Sequence, residues 1–146
     1  MGLRRRDEAG VRASLSLVYD LTVESKDPSE LSIGQLSEVV RDFAVRRDWE
    51  QFHTPRNLVL ALVGEVGELA AEFQWKSDLG EQMSLSQDAK DAVESEMADI
   101  LSYLLRLADV LQVDLGSALE RKIRTNEVRY PVDRAKGSSE KYTAYE

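Results

Sequence analysis

The 146-residue sequence contains no cysteine and only one histidine, His53. The lack of cysteine excludes a disulfide framework and thiol chemistry. A di-iron bundle uses histidine in Glu-x-x-His pairs on its helices, whereas His53 falls in a predicted loop. With few soft or borderline ligands available, any metal site in this chain favours Mg²⁺ or Mn²⁺ over iron or zinc.

Long apolar runs are also missing, since none approaches the roughly 20 residues that cross a bilayer. The basic stretch at residues 1–6 is not followed by the apolar segment of a signal peptide, so we expect a cytoplasmic protein with no membrane contact. Basic residues are outnumbered, with 19 Lys and Arg against 27 Asp and Glu and a net charge of −8. This charge argues against nucleic-acid binding, and an anionic substrate would need local neutralisation by a metal and by nearby Lys or Arg.

The hydrophobic periodicity predicts an all-α fold with four helices. Residues 1–30 differ from the rest and are interpreted as an N-terminal arm, either a short strand, a partner-bound arm or a leader derived from cloning. The expected helices begin near Ser32 and then run over about 55–75, 88–111 and 114–127. A polar tail follows from residue 131. Four residues have the chemistry and position of helix N-caps: Ser32, Thr54, Ser86 and Asp114.

The second helix is apolar on nearly every side, which predicts a central, buried element. Gly64 and Gly67 lower its helix propensity and could allow a neighbouring helix or a ligand to approach closely.

Two acidic pairs at the same spacing interrupt these apolar helices, Glu65-x-x-Glu68 and Glu96-x-x-Asp99. A three-residue step puts both carboxylates of a pair on one helix face, where like charges repel. Burial without a counter-charge would cost several kcal/mol. A divalent cation with oxygen ligands resolves this conflict, most simply Mg²⁺. The alternative is a solvated acidic face that meets a basic partner, in a non-catalytic helical interaction module.

Aromatic and basic residues flank this acidic region. Trp49 and Trp75 lie at element ends among polar residues and could stack on a nucleobase, although core packing is the common use of such residues. His53 is either a loop residue or a polar contact to a base or sugar. Lys122 and its neighbours at the end of the fourth helix either complement the helix dipole or hold a triphosphate.

Taken together, these residues resemble the all-α nucleoside triphosphate pyrophosphohydrolases of the MazG-like and dimeric dUTPase superfamily, and the dCTP pyrophosphatase branch most closely. The resemblance covers about residues 31–145 and assigns residues 31–130 to a MazG-like domain, with 131–146 as a polar tail. It rests on E-x-x-E followed by E-x-x-D, and on four further segments: residues 47–53, 55–58, 73–78, and Asn126-x-x-x-Tyr130-Pro131. Many MazG-like proteins carry E-E-x-x-E where this chain has Gly64-Glu65, so a general base at that preceding position is in doubt here.

The resemblance implies Mg²⁺-dependent hydrolysis of a nucleoside triphosphate to the monophosphate and pyrophosphate, by a homotetramer built as a dimer of dimers. It implies that Glu65, Glu68, Glu96 and Asp99 hold the metal and carry the catalysis. The implied substrate contacts are Trp49, His53, Trp75, Tyr103, Lys122, Asn126 and Tyr130. The best candidate substrate is dCTP or a modified dCTP. Alternatives with the same chemistry are dUTP, a damaged or non-standard nucleotide, and phosphoribosyl-ATP.

Overall fold

The computed structural model describes residues 28–74 and 85–144. Trp75 and the predicted N-terminal arm up to residue 27 lie outside these ranges. Regular structure within them is helical throughout, without a strand, which confirms the predicted all-α class. The long helices are α1 (Ile33–Val45), α2 (Pro55–Phe73), α3 (Gln87–Val110) and α4 (Leu115–Arg129). A single turn, α5 (Val132–Ala135), and 3₁₀ turns at Pro28–Glu30, Glu50–Phe52 and Tyr142–Ala144 complete the described chain.

All four predicted N-caps are confirmed. Each side-chain oxygen accepts a hydrogen bond from the backbone N–H three residues further on, in Ser32, Thr54, Ser86 and Asp114. The start of α1 has a second hydrogen bond in the opposite direction. The side chain of Gln35 accepts from the backbone N–H of Ser32 at 3.0 Å, which completes a capping box. Such caps contribute about 1 kcal/mol each, and they place the helix starts where the sequence predicts them.

The chain divides into two compact units, one through Gln112 and one from Val113 onward. In the first unit, α3 packs against both α1 and α2. The buried apolar side chains come from all three helices: Ala44, Leu58, Leu105 and Ala108. Full burial of a leucine stabilises a fold by about 1.5–3 kcal/mol, so this small core holds α3 between its two neighbours.

The prediction that α2 is a central, buried helix is wrong for the single chain. Leu58 is its only buried residue, while Leu60 and Val63 are 60% and 63% exposed. The reason is that, among the described helices, α2 has one large packing partner, α3, which covers only one side of an all-round apolar helix. Among the described residues, a Cβ atom at Gly64 or Gly67 would meet nothing within 4 Å, so no described helix makes the close approach that these glycines could allow.

In the second unit, the chain after α4 folds back on the end of that helix. The rings of Tyr130 and Tyr142 meet edge to face at 6.1 Å, and the Arg129 guanidinium lies 4.8 Å from the Tyr142 ring centre. Part of the predicted polar tail is thereby ordered against α4. Among the described helices, none is long and apolar enough to cross a membrane.

Candidate active site

Three of the four predicted acids form one cluster where α2 packs on α3. Glu65 and Glu68 lie on α2 and Glu96 on α3, and each offers a carboxylate oxygen within 4.8 Å of the others. Glu65 and Glu96 are half-buried, and Glu68 is exposed. The helix register explains the convergence, because the three-residue step keeps the α2 acids on the face that meets α3.

The cluster has the electrostatics of a cation site. Partial burial raises the pKa of Glu65 above its ordinary value, and the charges of Glu68, Asp99 and Glu96 raise it further. Within residues 28–74 and 85–144, no Lys or Arg forms an ion pair with these acids. In the part of the chain that the structure describes, no residue covers the surface beside Gly64 and Gly67. An oxygen-only donor set with uncompensated charge and open space fits a hard divalent cation.

Asp99, the fourth predicted acid, lies outside the group of three. It is near enough for its charge to act on Glu65. It also lines a cavity of about 450 Å³ between α1, the Glu50–Phe52 turn and α3. Asp99 therefore links the acid cluster to this cavity.

The cavity collects three of the predicted substrate residues, Trp49, His53 and Tyr103, with Asp99 at one side. Its remaining lining is Val39, Val40, Phe43, Ala44, Ser102 and Arg106. A space of this size, largely apolar with a few polar groups, is typical of a site for a small organic ligand. Asp99, Tyr103 and Arg106 follow one another at three- to four-residue steps along one stripe of α3, which brings all three to the cavity.

Trp49 is placed by a tight turn at the end of α1. Asp48 adopts φ 56°, a left-handed conformation that Asp tolerates better than most residues. The turn lets the Trp49 N–H donate to the Ala44 carbonyl at 3.0 Å. The indole then packs edge to face on Phe43, with ring centroids 5.8 Å apart. Trp49 remains 44% exposed, so this aromatic wall is preformed and accessible.

His53 is held by a buried arginine, Arg106, which is not among the predicted site residues. Arg106 is only 6% exposed, and its Nε donates to His53 Nδ1 at 3.1 Å. Burial lowers the pKa of His53 below its ordinary value, and the positive charge of Arg106 lowers it further. The signal that could have found Arg106 is its place three residues after Tyr103 on the same stripe of α3.

The other predicted substrate residues lie outside the described residues or outside the unit that forms the cavity. Trp75 is outside the described residues. Lys122, Asn126 and Tyr130 belong to the second unit, where the Tyr130 N–H donates to the Asn126 carbonyl at 2.8 Å. Their roles stay predictions.

Comparisons with known proteins agree with these features. A sequence model of the MazG-like family matches residues 61–144. The chain is similar to dCTP pyrophosphatase 1 of Bos taurus, with 50% identity over 117 residues that cover 79% of this chain and 69% of the relative. For dCTP pyrophosphatase 1 of Homo sapiens the identity is 48% over 116 residues, covering 78% and 68%. The crystal structure of a pyrophosphatase from Archaeoglobus fulgidus aligns with a TM-score of 0.56 and 36% identity, over 68% of this chain and 92% of that chain.

The helical fold and the acid cluster define an all-α protein suited to hold a divalent cation. The chain belongs to the MazG-like family. It is an enzyme of the pyrophosphohydrolase class, and its family implies dependence on a divalent metal. The predicted family and enzyme class are thereby confirmed.

Proposed function

We propose that this chain hydrolyses dCTP, or a 5-modified dCTP, to the nucleoside monophosphate and pyrophosphate in a Mg²⁺-dependent reaction that cleans the nucleotide pool. The observation that carries the proposal is the cluster of Glu65, Glu68 and Glu96, linked through Asp99 to an aromatic-lined cavity. The relatives named dCTP pyrophosphatase 1 support the choice of substrate.

Glu65, Glu68, Glu96 and Asp99 would hold the Mg²⁺, and Mn²⁺ would be accepted by the same oxygen ligands. When bound, the ion offsets the charge of the phosphates and stabilises the leaving pyrophosphate. The need for it follows from the protein's own charge, because a chain of net charge −8 attracts a triphosphate poorly without a cation.

The acids also act on water. Glu65 or Glu68 orients or deprotonates a water molecule and takes up its proton, while the water oxygen bonds to the α phosphorus of the triphosphate. The phosphoanhydride bond between the α and β phosphates breaks, and its electron pair leaves with pyrophosphate. The surroundings of Glu65 raise its pKa above the ordinary value, which makes its carboxylate a stronger proton acceptor in the metal-free protein.

The cavity would hold the nucleobase. Trp49 offers a stacking surface, and His53 and Tyr103 offer polar atoms at the same space. Trp75 would complete the aromatic wall. Lys122, Asn126 and Tyr130 would contact the phosphates or the sugar, from the same or a neighbouring subunit.

The assembly would be a homotetramer built as a dimer of dimers. Support comes from the uncovered apolar side chains of α2 and α3: Leu60, Val63, Val66, Met97 and Leu101. Surfaces of this kind commonly mark protein interfaces. Light scattering should give four times the chain mass of 16.5 kDa. A cytoplasmic location stays a prediction.

The test is a hydrolysis screen with Mg²⁺ over the common nucleoside triphosphates, dUTP and 5-modified dCTP, each repeated with EDTA. We expect dCTP or its 5-modified form to rank first and EDTA to abolish turnover. Preference for a purine nucleotide, or activity that survives EDTA, would contradict the proposal.

A further inference from the structure

Arg106 is surrounded by groups that fix its guanidinium in one place. Its Nη1 donates to Asp109 Oδ2, its Nη2 lies 3.5 Å from Glu50 Oε1, and its Nε donates to His53 Nδ1. The side chains of Arg106 and Asp109 are 6% and 8% exposed. This is a charge-assisted network at the wall of the cavity, where a side chain has little freedom to move.

The contact with Arg106 determines where His53 carries its proton. A guanidinium has donors only and stays protonated, so the imidazole nitrogen that faces it must accept. A neutral imidazole carries one N–H, which is then on Nε2. The neutral form is also the one that burial and the nearby positive charge favour, since both lower the pKa of His53. The nearby Glu50 acts in the opposite direction and is the smaller influence.

His53 shares the cavity with Trp49, whose ring centroid lies 6.3 Å away in an edge-to-face arrangement. We propose that Arg106 is a positioning residue: it fixes His53 as a hydrogen-bond donor through Nε2, and this donor selects a nucleobase with an acceptor such as O2 or N3 of cytosine. This inference rests on the proposed function, because it takes the cavity to be the base site.

The tautomer can be measured directly, because His53 is the only histidine in the chain. The unmodified protein, labelled with ¹⁵N in histidine, should show one imidazole spin system by NMR at neutral pH. We expect a protonated Nε2 and a non-protonated Nδ1. A protonated Nδ1, a mixture of tautomers or an imidazolium in the unmodified protein would overturn the proposal, independently of the results for any variant.

A variant then tests the consequence for the substrate. The double substitution Arg106→Met with Asp109→Leu replaces the buried ion pair by apolar side chains, a change that folds commonly tolerate. We expect the KM for dCTP to rise about tenfold with kcat unchanged, as for the loss of one well-placed hydrogen bond. The Ki of inorganic triphosphate, which has no base, should stay the same. His53 should also lose its single tautomer.

Arg41→Met is the matched control, because Arg41 also pairs with Asp109 but lies on the outside of the network. It should leave KM, kcat and the tautomer unchanged. Equal losses for dCTP and inorganic triphosphate in the double variant would mean that Arg106 only supports the fold, and would overturn the positioning role. Failure of the unmodified protein to hydrolyse any nucleotide would contradict the proposed function, while the NMR result would still decide the His53 tautomer.

Discussion

Arg41 on α1 and Asp109 on α3 form a bidentate ion pair, with Arg41 Nε 3.0 Å from each carboxylate oxygen. The same carboxylate accepts from Arg106, so one acid serves an exposed cation and a buried one. The bond to Asp109 raises the pKa of Arg41 above its already high ordinary value. This shared acid joins the first and third helices directly behind the cavity.

Removal of the exposed arginine and removal of the shared aspartate should lower the free energy of unfolding by different amounts. Arg41→Met removes a partner that is 47% exposed, so we expect a loss of about 1 kcal/mol or less. Asp109→Leu leaves the buried Arg106 without its main partner and should cost about 3–5 kcal/mol. Urea unfolding followed by circular dichroism measures both values. Equal costs would mean that Arg106 finds another partner when Asp109 is removed.

Glu68→Gln tests the catalytic role of the acid cluster. The change removes one negative charge at nearly constant size, and we expect kcat to fall by about 100-fold or more with the fold intact. Steady-state kinetics with saturating Mg²⁺ and a thermal melt give the two readouts.

The matched control is Glu94→Gln, which changes an exposed acid of α3 that lies outside the cluster and forms an ion pair with Lys90 at 3.8 Å. Its kcat should equal that of the unmodified enzyme. If Glu68→Gln also retains full turnover, Glu68 is not part of the catalytic site.

The pH dependence of stability should reveal the repulsion around Glu65. Its pKa is raised in the folded state, so its contribution to stability is complete below the ordinary carboxyl pKa of 4.5 and is lost as the pH rises through the raised pKa. Without metal, the melting temperature should therefore decline over this window. In Glu65→Gln the decline should be smaller, because the group no longer ionises.

Millimolar Mg²⁺ should reverse this loss, since a cation favours the ionised carboxylate. A ligand at a hundredfold excess over its Kd stabilises a fold by about 2.7 kcal/mol. The shift in melting temperature on adding Mg²⁺ should grow as the pH rises through the pKa of Glu65, and shrink in Glu65→Gln. No shift at any pH in the unmodified protein would mean that these acids do not bind the metal.

Trp49→Leu should weaken nucleotide binding without affecting the bond-breaking step. Loss of one stacking surface costs about 1–3 kcal/mol, which predicts a KM for dCTP raised by about tenfold with kcat retained. Phe52→Leu is the control, because Phe52 is a comparably exposed aromatic residue of the same loop that does not line the cavity. An unchanged KM in Trp49→Leu would exclude Trp49 from the base site.

Local signals in the sequence predicted the helices well, because each helix start carries its own cap. Ser32 with Gln35, and Thr54 before Pro55, determine where α1 and α2 begin. The acid cluster was also predictable as a set of residues, since repelling carboxylates on apolar helices need a cation. These features depend on neighbours within a few positions of the chain.

Features that depend on distant neighbours were harder to predict. The contact between Arg106 and His53 joins residues 53 positions apart, and no local pattern encodes it. The apolar pattern of α2 predicted burial, but it does not specify which chain covers the helix. Asp99 fits the sequence motif, yet its position at the cavity depends on how α1 packs on α3.

The most direct test of the proposed function is the ³¹P NMR spectrum of dCTP during turnover by the unmodified protein with Mg²⁺. We predict that dCMP and pyrophosphate appear together in equal amounts and that EDTA stops both. The appearance of dCDP with orthophosphate would contradict cleavage between the α and β phosphates.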